Sequence, residues 1–285
     1  MDVILVRYAE VGLKSRTVRS RFERILMDNM MSMMAHNGLE ALINCDQGRL
    51  FVETNDVPKG CAVLQRVFGI ASVSPALKVS SEMQSMRDAA AAYSRTFMPE
   101  GASFKVEARR QGTHTYTSMQ AAALVGEAIL EANADRKVRV DLHKPDHIVY
   151  VEIRGPLAYI FADYLDGPAG LPMSSQGKVL AVLREEKDTV AAWLIMKRGC
   201  KVVALAKPDS VPAQILRAWD PDIKVVDNED LSFMIMRHKA AAVVYGYGIK
   251  DMDIIKKVHL EVPAFYPLVG MGQDEIDRRL NAIRS

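Results

Sequence analysis

Residues 178–199 read KVLAVLREEKDTVAAWLIMKRG. The first six are an apolar run of strand length, and 189–198 carries apolar residues at helical spacing. Between them lies REEKDT, residues 184–189, in the place where many nucleotide-binding domains carry a glycine-rich phosphate loop. The pattern then repeats. Strands are predicted over 201–206, 223–227 and 241–245, and helices over 212–219, 229–238 and 273–283. That alternation predicts a parallel sheet with covering helices.

Upstream, GPAGLPMSSQG (167–177) is dense in Gly, Pro and Ser and reads as a linker. Before it the pattern differs. Residues 2–8 read as a strand and about 16–34 as a helix, with Val18, Phe22, Ile25, Leu26, Met30 and Met33 at helical spacing. LEALINC and GRLFVET read as strands joined by a turn at Asp46-Gln47-Gly48. A short helix (58–67) and the strand ASVSPALKV complete a β-α-β-β-α-β order, which predicts a ferredoxin-like sandwich. A second unit follows: a helix over about 82–98, the strand SFKVEARR, a helix over 118–133, the strand VRVDL, and a hairpin IVYVEIR/LAYIFAD turning at Gly155-Pro156. The predicted division is 1–75, 76–167, a linker at 168–177, and 178–285.

At 285 residues, 49% apolar and 25% charged, the composition is that of an ordinary globular protein with room for several cores. No apolar run is long enough to span a bilayer. The N-terminus lacks the basic, apolar and small-residue regions of a signal peptide, so a cytoplasmic location and no membrane partner are expected. Cys45, Cys61 and Cys200 are too scattered for a disulfide framework and read as buried thiols. His143 and His147 have helical spacing, but Pro145 between them disfavours a shared helical face, so no metal site is expected. The net charge of +2 is evenly spread, so nucleic-acid binding has to rest on local patches.

Three segments decide the family: VRYAEVGLKSRTVRSRFE, FKVEARR, and DLHKPDHIVYVEIRGPLAYIFADYLDGPAGLPMSSQGKVLAVL. Together with AAWLIMKRGCKVV and YPLVGMGQDEI, they resemble the tRNA 4-thiouridine synthases (tRNA sulfurtransferases) in order along the whole chain. The resemblance implies an α/β protein: a ferredoxin-like domain and a THUMP domain, then a reduced Rossmann-like parallel-sheet domain of the PP-loop ATP-pyrophosphatase type. It also implies ATP and Mg²⁺ as cofactors of an active member, and tRNA, gripped at its acceptor-stem end, as partner.

The third unit departs from that family in three ways. Family members carry SGGxDSP where this chain has Arg184, Glu185, Glu186, Lys187, Asp188 and Thr189, one residue shorter and without glycine. Only Asp188 and Thr189 keep the family's Asp-Ser character, which makes them vestigial catalytic candidates. Glycine lets a backbone approach pyrophosphate and present its N–H groups. Acids there act the other way, since a like-charge pair at ~4 Å costs about 1–4 kcal/mol. They also complement the dipole of the following helix, so REEKDT reads as a self-capped helix start with no nucleotide cofactor. The family's Thr-Gly-Glu-Ser-like turn is Tyr245-Gly246-Tyr247-Gly248, and no cysteine stands at the sulfur-carrying position. The chain ends at Ser285, so that cysteine's region and any rhodanese domain are expected to be missing.

The RNA side is better supplied. Lys14, Arg16, Arg19 and Arg24 crowd the start of the first helix, where each cation opposes the dipole by about 0.3–1 kcal/mol unless a polyanion binds. Lys105, Arg109, Arg110, His143, Lys144 and Arg154 add to them in the second unit. Phe104, Tyr150 and Tyr159 read as core aromatics. Two functions stay open. One is a tRNA-binding or accessory factor in tRNA modification, working with a sulfur-relay or modification enzyme and able to form a homodimer. The other is an active ATP-dependent tRNA sulfurtransferase in which Lys178, Lys187 and Asp188 serve phosphate and Mg²⁺ and a partner donates sulfur. A THUMP-linked methyltransferase is disfavoured, because neither a glycine-rich methyl-donor loop nor an Asn-Pro-Pro-aromatic tetrapeptide is present.

Overall fold

The computed structural model describes residues 1–46, 48–228 and 230–284. The turn expected at Gln47 and the helix start expected at 229 therefore involve residues outside the described set.

The first unit contains β1 (Val3–Tyr8), a 3-10 turn (Glu10–Leu13), α1 (Arg16–His36), β2 (Ala41–Asp46), β3 (Arg49–Thr54), α2 (Val57–Leu64) and β4 (Ile70–Ser80). Helix α1 forms because Phe22, Leu26, Met30, Met33 and Met34 lie on one stripe and are buried against the sheet. Each such side chain contributes about 1.5–3 kcal/mol. Val18, expected in that stripe, is 39% exposed. Asp56 caps α2 by accepting the Lys59 N–H at 3.0 Å. Of the three thiols only Cys61 is buried. Cys45 lies on the edge strand β2 and is exposed, which corrects its reading as a core residue.

The second unit contains α3 (Met83–Ser94), β5 (Ser103–Gln111), α4 (Ser118–Ala132), β6 (Arg139–Val140), β7 (His147–Arg154), β8 (Leu157–Phe161) and β9 (Leu165–Asp166). The expected VRVDL strand shrinks to the two residues of β6. The Asp141 carboxylate accepts the N–H groups of His143 and Lys144, both at 2.9 Å, and turns the chain away. Strand β4 belongs to both units. Its first part pairs with β1, from Tyr8↔Ile70 to Val3↔Ala76, and its second part with β8, from Leu77↔Ile160 to Ser80↔Leu157. The described strands thus form one nine-stranded sheet in the order β2-β3-β1-β4-β8-β7-β5-β6, with β9 on β4. The division expected at 75/76 falls inside a strand.

The third unit alternates as expected: β10 (Lys178–Val182), α5 (Glu186–Lys197), β11 (Lys201–Leu205), α6 (Val211–Arg217), β12 (Lys224–Val226), α7 (Leu231–His238) and β13 (Val243–Tyr245). Helix α8 (Met252–Ile255) and strand β14 (Ala264–Phe265) follow, too short to show a period in the sequence, and α9 (Gln273–Arg284) closes the unit. The sheet is parallel throughout, in the order β12-β11-β10-β13-β14. The chain order reverses at β10/β13, the place where doubly wound sheets open a crevice.

Segment 167–177 is a packed strap. Leu171 N donates to Lys197 O (3.0 Å), Gln176 N to Gly199 O (3.1 Å) and Ala169 N to Ile70 O (2.7 Å). Gly170, at φ +77°, is essential, since a Cβ there would sit 2.2 Å from Lys197 O. Phe68 of the first unit inserts into the third, with ring centroids 5.3 Å from Trp193 and 5.4 Å from Trp219. Asn29 on α1 donates to Met173 O at 3.0 Å. No helix among the described residues is long and apolar enough to cross a membrane.

Candidate RNA interface and the cleft of the parallel sheet

Arg16 and Arg24 stand exposed at the N-terminal part of α1, whose first turn holds no acid. Ser15, at its N-cap, makes no side-chain cap bond, which leaves the helix start electropositive. Arg19 is partly occupied. Its Nη2 donates to Gly12 O (2.8 Å) and Lys14 O (3.3 Å), bracing the turn that carries the half-buried Lys14.

In the second unit, register sets the faces. Arg109 pairs with Glu152, Gln111 with Arg154, and Lys105 with Ile148, so Lys105 and Arg109 share the sheet face not covered by helices. Arg110 pairs with Ile153 on the helix side, and its Nη1 donates to Gly112 O at 3.2 Å. Lys105 is paired with Glu107 at 2.7 Å. His143 and Lys144 project from the loop beyond β6, with exposed side chains. Arg154 is held inside the protein by Glu152 (2.6 Å), Gln111 (3.1 Å) and Asp46 O (3.4 Å). It is an anchor between the β2–β3 hairpin and the second unit, with little surface to offer a ligand. Phe104 and Tyr159 are core residues as expected.

Sequence reading missed what organises this face. Arg7, 8% exposed, interrupts the apolar run VILVRY on the face it shares with Val3 and Leu5. Its Nη1 donates to Ser74 Oγ (2.9 Å), Nη2 lies 3.8 Å from Glu152, and its guanidinium stacks on Tyr164 (4.2 Å) and Phe161 (4.9 Å). Arg49 reaches Glu152 at 3.2 Å. Three guanidinium groups therefore converge on one carboxylate across the junction of the first two units. Burial lowers the Arg7 pKa, and the Tyr164 and Glu152 charges counter that shift. A charged residue inside a strand-like apolar run was the available signal. The hairpin links this clasp to α1, because Tyr8 Oη donates to Glu23 (2.6 Å) and Gly48 packs beside that hydroxyl.

The second candidate is a cleft of about 700 Å³ at the carboxyl ends of β10–β13, lined among others by Arg184, Lys207, Ser210, Asp227, Asn228 and Tyr245. Helix α5 begins beside it, three residues earlier than predicted, because REEKDT supplies its own first turn. The Asp188 Oδ2 accepts the N–H groups of Arg184 (2.7 Å) and Glu185 (2.8 Å), so a side-chain carboxylate sits on the donors that would face an anion. Asp188 is 7% exposed, and burial raises its pKa against the lowering effect of those two bonds. Gly246 abuts it so closely that a Cβ would lie 1.9 Å from Asp188 Oδ1. Thr189 is fully buried. Lys187 pairs with Glu185 at 3.2 Å, and Glu186 with Arg284.

Lys178 is corrected outright. It occupies the amino end of β10, about 13 Å of strand from the cleft, and cannot serve a phosphate there. Where the resemblance places a Glu-bearing turn, Tyr245, Tyr247 and Tyr266 lie nearly parallel, with centroids 5.1–6.3 Å apart. Arg184 Nη1 reaches Tyr247 Oη at 3.4 Å. Among the described residues no group of three or more His, Cys, Asp or Glu side chains could hold a metal ion.

Residues 3–74 match the ThiI ferredoxin-like domain and residues 80–163 the THUMP domain. The tRNA sulfurtransferase of Thermoplasma volcanium is 34% identical in an alignment covering 97% of this chain and 66% of that protein. The probable tRNA sulfurtransferase of Methanosarcina mazei is 35% identical over 77% of this chain. The chain belongs to the tRNA sulfurtransferase family. It spans only part of the length of these relatives, 56% of the Methanosarcina protein and 66% of the Thermoplasma one. Among solved structures, PH1313 from Pyrococcus horikoshii superimposes with a TM-score of 0.86 at 29% identity, covering 99% of both chains. A 4-thiouridine synthetase in complex with RNA and bound ATP shares the sulfurtransferase fold with a TM-score of 0.79 at 20% identity, covering 99% of this chain and 85% of that one.

Proposed function

We propose that this sulfurtransferase-family chain binds tRNA through its first two units, at the acceptor-stem end, and that its third unit does not adenylate RNA. It would act in the cytoplasm as a tRNA-binding or accessory factor in tRNA modification, with the chemistry left to a sulfur-relay or modification enzyme. The observation that carries this reading is the Asp188 carboxylate on the Arg184 and Glu185 N–H groups, at 2.7 and 2.8 Å. A phosphate would have to displace a buried side chain from its donors and approach Glu185 and Glu186 as well. On the RNA side, the exposed Arg16, Arg24, Arg109, Arg110, His143 and Lys144 support the reading. Phosphate contacts would supply affinity and RNA shape selectivity.

A second reading is favoured by one observation. The 700 Å³ cleft remains open, with Lys207 and Arg184 on its wall, as an ATP-dependent sulfurtransferase with a variant loop, Mg²⁺ and a partner sulfur donor would need. Calorimetric titration of unmodified tRNA and of ATP–Mg²⁺, across a salt series, separates the two. We expect tRNA binding whose log K falls with log salt, and no ATP heat at millimolar concentration. Micromolar ATP binding that Asp188→Ala abolishes would establish the second reading instead.

A further inference from the structure

A cleft of about 530 Å³ opens on the second unit where the end of α3 meets the start of β7 and the end of β8. Neither reading above uses it. Its wall is aromatic: the Tyr93 and Phe97 rings lie 4.9 Å apart, and Phe97 meets His147 edge-on at 5.6 Å. Its charge is acidic. Asp146 lines it, with Oδ2 accepting the N–H (2.8 Å) and hydroxyl (2.6 Å) of Ser103, bonds that hold its pKa below the ordinary value and keep it ionised. Asp163 lines it too. The Asp163 main chain is pinned by Ser74 Oγ donating to its carbonyl at 2.6 Å, while the residue itself stays exposed.

Burial and the Asp163 charge together push the Tyr93 hydroxyl up to about 12, so the phenol stays neutral beside the two carboxylates. Among the described residues no lysine or arginine lines the cleft. Met1 stands on its rim, with its ammonium 4.0 Å from Asp2. Asp146 and Asp163 border the same cleft as the Tyr93 and Phe97 rings and the apolar Ile148 and Ala162, a set complementary to an ammonium on a methylene chain. A hard metal ion fits poorly, since the described residues bring no three metal-binding side chains together.

We propose that this cleft binds a small linear polyamine, with one ammonium on Asp163 against the Phe97 and Tyr93 rings and the methylenes along Ile148 and Ala162. Binding would neutralise an acidic face of the unit whose open sheet carries Lys105 and Arg109. The test is calorimetric titration of spermidine into the full chain without RNA. Saturable binding is expected, about tenfold weaker in Asp163→Asn and about fivefold weaker in Phe97→Leu, with thermal midpoints unchanged. Mg²⁺ at matched ionic strength should leave the spermidine affinity within about twofold. The proposal is overturned if no saturable heat appears at millimolar spermidine, or if both folded variants bind like the wild type. Equal displacement by Mg²⁺ would also overturn it, since that marks a diffuse ion atmosphere.

Discussion

Replacing Asp188 by alanine and by asparagine should have different consequences, because the residue carries two separable properties. As an acceptor it holds the N–H groups of Arg184 and Glu185, and alanine removes both bonds at the start of a helix. Loss of a helix cap costs about 1 kcal/mol, and a second buried donor left without a partner brings the total to about 2–3 kcal/mol. As an ion it is unfavourable where it sits, since burial raises its pKa above the ordinary value of 3.8. Its contribution to stability is therefore fully present below pH 3.8 and is lost as pH rises through the folded-state value. Asparagine keeps the acceptor and removes the ion, so Asp188→Asn should lie within about 0.5 kcal/mol of wild type at pH 7 or be slightly more stable. Its stability should also lose the Asp188 share of the pH dependence in the acid range. Trp193 and Trp219, the two tryptophans of the chain, both lie in the third unit. Urea unfolding followed by tryptophan fluorescence thus reads this unit directly. At m of about 2 kcal/mol/M, Asp188→Ala should move the midpoint down by about 1 M, with Asp188→Asn near wild type. Equal midpoints for the two variants, or an alanine variant as stable as wild type, would refute the account of REEKDT as a self-capped turn.

Three further outcomes are expected. Phe68→Ala should cost about 3–5 kcal/mol and change tryptophan emission, because the ring plugs the Trp193–Trp219 pair from the neighbouring unit; fluorescence-monitored melting checks both. Glu152→Ala should lower stability by about 3–5 kcal/mol and open the β2–β3 hairpin to protease, since Arg7, Arg49 and Arg154 lose their shared carboxylate. Arg16→Gln with Arg24→Gln should weaken tRNA binding and reduce the slope of log K against log salt by about 1.5, with the thermal midpoint unchanged, as filter binding at several salt concentrations would show.

The parallel sheet was legible because its strands and helices alternate with clear periods, and the sandwich because α1 carries its stripe from Phe22 to Met34. What stayed hidden depended on long-range contact. Nothing local marks Glu152 as the centre of a clasp, because Arg7 and Arg49 reach it from strands that are distant in sequence. Lys178 looked useful only because sequence proximity to REEKDT ignores that a strand runs between its two ends. Composition suggested a linker at 167–177, whereas Gly167 and Gly170 there serve close packing against Ile70 and Lys197. The REEKDT turn lay in between: its acids were visible, but the choice of Asp188 as the internal acceptor needed coordinates.

Strand β4 has a consequence for anyone cutting this protein into pieces. The two matched segments, 3–74 and 80–163, end and begin inside or at the limit of that strand. A fragment stopping at residue 75 would lose Ala76, the partner of Val3, and every residue that pairs with β8, leaving an unfinished strand and a sticky edge. A fragment starting at 76 would keep Leu77–Ser80 against β8 but cut that stretch off from the rest of β4 and from β1. Strand β4 thus makes the ferredoxin-like and THUMP parts neighbours in one sheet, and a cut anywhere from Ile70 to Ser80 divides a strand on which both depend.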